Sequence, residues 1–143
     1  MTGMDILQPA VALMIWTMVM WAWMYATRIP AMTKAQVDVD KLVSDPDASL
    51  DRTLPAHVQW KAHNYNHLHE APTVFYAVAL SLALLEAGDG MTAFLAWIYT
   101  GLRIVHSIVQ VTANKVMVRF VLFALSSLVL IALIAMAALI VLK

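Results

Sequence analysis

Two sets of polar side chains recur at helical spacing, and their types are those that hold anions and accept or donate protons. Tyr99, Arg103, His106 and Gln110 follow one another at intervals of four, three and four residues. At about 100° per residue they form one narrow helical stripe. His63, Asn66, His67 and Glu70 recur at i, i+3, i+4 and i+7, which gathers two imidazoles, an amide and a carboxylate on one face. Arg28 and Arg119 stand at the ends of apolar runs. Arg28, Arg103, Arg119 and the Asn66/Glu70 face together describe a cationic pocket with an acidic and an amide partner. That is the chemistry of a site for an anionic ligand.

Each feature also has a plainer reading. Arg103 lies about eight residues, or roughly 12 Å at 1.5 Å per residue, inside its apolar run, too deep for an easy reach to water. An ionisable group there is costly and faces a bundle interior or a cavity. It either pairs with a carboxylate such as Glu70 or lines a site. Arg119 and Arg28 lie close enough to the ends of their runs to extend their charges into the headgroups. His63 and His67, with Glu70 nearby, have the spacing of metal ligands. The HExxH order and soft ligands are both missing, however, so no metal is expected and the histidines are read as hydrogen-bonding groups.

The elements that must position these groups follow from composition. The chain has 143 residues, 62% hydrophobic and 13% charged, with nine Lys plus Arg against nine Asp plus Glu. Soluble proteins are about 45–50% apolar and about a quarter charged, so a soluble monomer is excluded. Zero net charge leaves no overall field to draw the molecule onto nucleic acid, which is not expected as a partner. With no cysteine, any thiol used in chemistry must arrive on a substrate, and disulfides and thiolate metal sites are ruled out.

Spanning a bilayer takes about 20 mainly apolar residues, and four runs qualify: residues 6–26, 71–87, 91–111 and 116–142. The leader before the first run has no Lys or Arg, and no small-x-small cleavage signal precedes Thr27, so this run is read as a span rather than a signal peptide. Residues 55–70 contain no internal proline or glycine and are read as a helical extension of the second span beneath the membrane. The hydrophilic stretch of about 28–54, with Pro30 and Asp45-Pro46, is read as a loop with one short helical piece. The chain is thus expected to be one all-α domain, an integral membrane four-helix bundle. Arg28, Lys34, Lys41, Arg52 and Lys61 fall between spans one and two, and Lys115 and Arg119 between three and four. The positive-inside rule places those connections in the cytoplasm and both termini outside it. Trp21, Trp23 and Tyr25 are read as an interfacial aromatic belt.

On these residues the chain resembles the MAPEG family, the membrane-associated proteins of eicosanoid and glutathione metabolism. The run from Lys61 through His63, Asn66 and Glu70 to Pro72 looks like the family's basic-Ala-His, Asn, Glu, Pro signature. Arg103-Ile104-Val105-His106 is similar to its Arg-x-x-His, and Arg119 falls thirteen residues later, where the family's catalytic arginine falls. Arg28 matches a ligand-binding arginine. Three positions depart from the pattern: Asn66 and Glu70 are four apart rather than three, so that either His67 or His69 takes a standard position; Lys61 replaces an arginine; and Gln110 replaces a tyrosine.

The resemblance implies a homotrimer that binds glutathione as cosubstrate between subunits, near the cytoplasmic face. It makes Arg28, His63, Asn66, Glu70, Arg103 and His106 binding candidates and Arg119 the catalytic residue, an arginine that stabilises the glutathione thiolate. The function implied is a transferase or peroxidase acting on lipophilic electrophiles or lipid hydroperoxides, with membrane lipid and a lipophilic small molecule as partners. Two alternatives stay open: a non-catalytic relative that binds lipid or a partner protein, and a haem- or quinone-binding bundle using His106 with His63 or His67.

Overall fold

The computed structural model describes residues 2–143, and the described residues form helices and turns without a strand. α1 (Leu7–Lys34), α6 (Met91–Thr112) and α7 (Val116–Val141) are each long and apolar enough to cross a bilayer. At 1.5 Å per residue they measure about 42, 33 and 39 Å, against a hydrocarbon core of about 30 Å. Two short helices, α2 (Val39–Ser44) and α3 (Leu50–Thr53), interrupt the hydrophilic stretch. Asp38 starts α2 by accepting the Asp40 and Lys41 backbone N–H groups, and Ser49 starts α3 by accepting that of Asp51; both are side-chain N-caps of the ordinary kind.

The stretch from 55 to 87 is helical but broken. α4 (Ala56–His67) and α5 (Ala71–Leu84) are separated at residues 68–70, where Glu70 takes φ −89° and ψ −103°. The cause lies just downstream of the break. Pro72 has no N–H to give the Leu68 carbonyl, and its ring would press on that carbonyl in a continuous helix. Thr73 donates both its N–H and its hydroxyl to the Glu70 carbonyl at the start of α5. α5 alone is about 21 Å long, short of the hydrocarbon thickness, so α4 and α5 act together as one bent limb. A second difference concerns α1, which continues through Pro30 to Lys34 where the proline reads as the start of a loop. Only the Ala26 carbonyl loses its partner there, at the polar end of the helix.

The limbs pack side by side. The core joins Ile6 at the N-cap of α1, Leu13 and Met20 of α1, Phe75 and Leu82 of α5, Tyr99 of α6 and Leu133 of α7, all fully buried. Phe75 stacks on Tyr99 with ring centroids 4.3 Å apart. α1 and α6 run in the same direction, since Thr100 donates to the Pro9 carbonyl and Trp16 Nε1 to Ser107 Oγ, both at 3.0 Å. At one end the N-terminal segment is tied to the α5–α6 turn: Asp89 accepts the Gly3 and Asp5 amides, and the Ile6 amide donates to the Gly88 carbonyl. A Cβ at Gly88 would collide with the Gly3 carbonyl oxygen, so the approach requires glycine. α6 buries a polar face, whereas α7 buries Ser126, Leu130 and Leu133 and turns most of its large apolar side chains outward. Those outward faces meet no other part of the chain.

Candidate functional site

A cavity of about 240 Å³ opens at the end of the molecule opposite the termini, where α4, α6 and α7 converge beside the Pro72 break. It is lined by His67, Glu70, Arg103, His106 and Arg119 together with Val116, Phe120 and Phe123. The polar groups come from α4, its junction with α5, α6 and, in Arg119, α7; the apolar ones are all from α7 and belong to the exposed face of that helix. Small-molecule sites commonly enclose about 300–1,000 Å³, so one chain encloses a smaller space than such ligands usually occupy.

Arg103 is 3% exposed and tightly restrained. Its Nε donates to the Tyr99 hydroxyl at 3.1 Å, and its guanidinium lies 5.4 Å from the Phe123 ring, within cation–π range. Its buried Nη2 has no protein partner. Arg119 donates through Nη1 to Asn114 Oδ1 at 2.7 Å, while its buried Nε has none. Asn114 sits at φ 47° in the α6–α7 turn, a left-handed conformation that asparagine tolerates better than most residues. Glu70 forms an ion pair with neither arginine: the ion pairs among the described residues are Lys41–Asp38 and His63–Asp51. The reading in which Glu70 simply neutralises Arg103 therefore does not describe the site. Two guanidiniums with unspent N–H donors face one cavity, and unspent buried donors are costly unless a ligand or water takes them.

The remaining predicted residues divide. His67 Nδ1 lies 3.0 Å from Gln110 Oε1 and its ring is 6.4 Å from that of His106. His63 points away, bonded through Nε2 to Asp51 Oδ1 at 2.9 Å. Asn66 is exposed, and Arg28 is partly buried with an unpartnered Nε; neither lines the cavity. His69 is exposed and bonded to the Tyr65 carbonyl. Lys61, the basic residue that opens the polar run, donates to the His57 carbonyl at 2.7 Å and lies over Trp23 at 5.6 Å. No group of three or more His, Asp or Glu side chains is arranged to hold a metal among the described residues.

The supporting shell includes groups that spacing alone does not reveal. Asn64, 1% exposed, donates to Ser107 Oγ at 2.6 Å, and Ser107 also accepts from Trp16. This relay joins α1, α4 and α6. Trp16 thus has a tertiary partner, unlike Trp21 and Tyr25, which lie edge to face at the surface. The signal available in the sequence was weak: Ser107 adjoins the Arg103/His106 stripe, and Asn64 lies three residues before His67.

Comparison with known proteins adds one finding. The model of the MAPEG family matches residues 6–139. No curated protein and no solved structure gives a significant match.

Proposed function

The chain belongs to the MAPEG family, a membrane family that includes glutathione transferases, peroxidases and other enzymes of lipid metabolism, and from that premise we propose that it is a glutathione-dependent membrane enzyme. Three apolar helices and the family make it an integral membrane protein. Glutathione enters as cosubstrate, and the second substrate is a lipophilic electrophile or a lipid hydroperoxide.

The observation that carries this reading is the pair of guanidiniums, Arg103 and Arg119, sharing one cavity with unspent donors and no carboxylate in ion-pair contact. Glutathione presents two carboxylates and a thiol. One cation for a carboxylate and one for the sulfur is the minimum such a ligand needs. A free thiol has a pKa of about 8.5 and is only a few per cent thiolate at neutral pH; an adjacent guanidinium favours the anion. Arg119, held by Asn114, is the thiolate-stabilising group, and Arg103, clamped by Tyr99 and Phe123, is the carboxylate anchor. Val116, Phe120 and Phe123 form the apolar approach for a substrate arriving from lipid.

The cavity's small volume and the outward apolar face of α7 favour a four-limbed subunit that assembles as a homotrimer, with a neighbour closing each site. Arg28, His63 and Asn66 lie outside the cavity of their own chain, the position from which they would serve a neighbour's. The Lys/Arg-rich connections favour a site on the cytoplasmic side. Equilibrium dialysis of the purified protein against labelled glutathione tests the reading, followed by turnover with a lipophilic aryl halide and a lipid hydroperoxide. Saturable binding with turnover of either substrate is the expected result. Binding without any turnover would identify a non-catalytic relative, and absence of binding would remove glutathione from the account.

A further inference from the structure

We infer that His67 is the group that takes the proton from the bound thiol, and that Gln110 is the residue that positions it for that task. The assignment rests on the glutathione reading above and goes beyond it, because an arginine that stabilises a thiolate leaves the departing proton without an acceptor.

Five titratable side chains face the cavity: His67, Glu70, Arg103, His106 and Arg119. The two arginines cannot accept a proton, since guanidinium stays charged throughout the working range. Glu70 stands exposed at the broken junction of α4 and α5, with no side-chain hydrogen bond to fix it. His106 is buried one turn from Arg103 on the same stripe and likewise has no hydrogen-bond partner to set its tautomer among the described residues. His67 alone is oriented. Gln110, 2% exposed, presents Oε1 to His67 Nδ1 at 3.0 Å. With the Gln110 amide in this orientation its carbonyl oxygen accepts, and the tautomer of His67 that matches it carries the proton on Nδ1 and keeps a lone pair on Nε2. Gln110 is held in turn by its place on the buried face of α6, one turn beyond His106.

The proton balance closes with solvent water as the final acceptor. The S–H bond of glutathione breaks with its electron pair left on sulfur beside Arg119, and the proton passes to the Nε2 lone pair of His67. The thiolate then bonds to the electrophilic carbon of the lipophilic substrate as the carbon–leaving-group bond breaks. His67 Nε2 passes its proton on to solvent water, and the leaving group departs as an anion. Histidine is neutral again and the products are the thioether, the leaving-group anion and a solvated proton. Arg119 governs how much thiolate exists at equilibrium; His67 governs how fast it forms in a cavity partly closed to water.

That division is testable by stopped-flow mixing of the full-length protein with glutathione, following thiolate absorbance. His67→Gln is expected to slow thiolate formation by about 10²-fold, the lower end of general-base contributions, with the final amount little changed. Added imidazole should restore part of the lost rate, a response that a merely structural role would not give. Gln110→Met should reproduce the slow phase, whereas Gln110→Glu, which keeps an acceptor on Nδ1, should retain the fast one. An unchanged rate in His67→Gln, or rate and amount falling together without an imidazole response, would overturn the assignment and leave glutathione binding intact. Equilibrium dialysis on the same preparations separates that outcome from failure of wild-type protein to bind glutathione, which overturns both readings.

Discussion

Arg103 and Arg119 reach the same cavity under different restraints, and their substitutions should fail differently. Arg103 is clamped by Tyr99 and Phe123 in a fixed plane, the arrangement that suits bidentate carboxylate binding. Arg103→Leu should weaken glutathione by about 10- to 100-fold, the equivalent of ~1.5–3 kcal/mol for a charge-assisted hydrogen bond, as read by equilibrium dialysis. Arg103→Lys should recover only part of that loss, because an ammonium cannot reproduce the planar fork. Arg119 should show the reverse: binding largely kept, thiolate lost. The stripe that contains Arg103 and His106 is legible in the sequence because both lie on one helix, where spacing alone fixes the face. The His67–Gln110 and Asn64–Ser107 contacts are not, because each joins two helices whose relative register is set by packing.

At the scale of the elements, the bend between α4 and α5 places Glu70 and His67 at the cavity, and Pro72 is its cause. Pro72→Ala restores an N–H for the Leu68 carbonyl and should favour a straighter limb, moving both side chains and weakening glutathione binding while helical circular dichroism stays the same or rises slightly. The apolar runs of α1, α6 and α7 can be read directly from composition. The break cannot be placed from residues 55–70 alone, since a proline acts on the turn before it and Pro72 lies past that stretch. At the opposite end, Gly88→Ala would force the backbone away from Gly3. It should lower the thermal midpoint, since overpacking of this kind costs about 1–3 kcal/mol. Asp89, outside the spans, is held below the usual 3.8 first by the Gly3 amide and then by that of Asp5. Its folded-state pKa is depressed, so the clasp contributes fully above the unfolded value and is lost as pH falls through the folded one. Protection of the Gly3 and Asp5 amides in hydrogen exchange should hold from neutral pH down through the usual carboxylate range and be lost only as pH falls through the depressed folded value, and Asp89→Asn should weaken it at every pH.

For the whole molecule, the cysteine-free sequence makes orientation directly measurable. A single thiol at Ser44→Cys should be shielded from a membrane-impermeant reagent in intact cells and react after lysis, whereas Thr2→Cys should react in both; the opposite pattern would reverse the proposed topology. The native mass in detergent, corrected for bound detergent, should be three times the 15.8 kDa chain, as the proposed homotrimer requires. The central claim is that a cationic cavity in this membrane protein turns glutathione into a nucleophile. Ultraviolet difference absorbance of the purified protein with saturating glutathione near neutral pH tests it most directly. The account predicts a thiolate band in wild-type protein that is lost in Arg119→Ala although glutathione still binds. A bound glutathione that stays protonated in wild-type protein, or an equal thiolate band in Arg119→Ala, would contradict it.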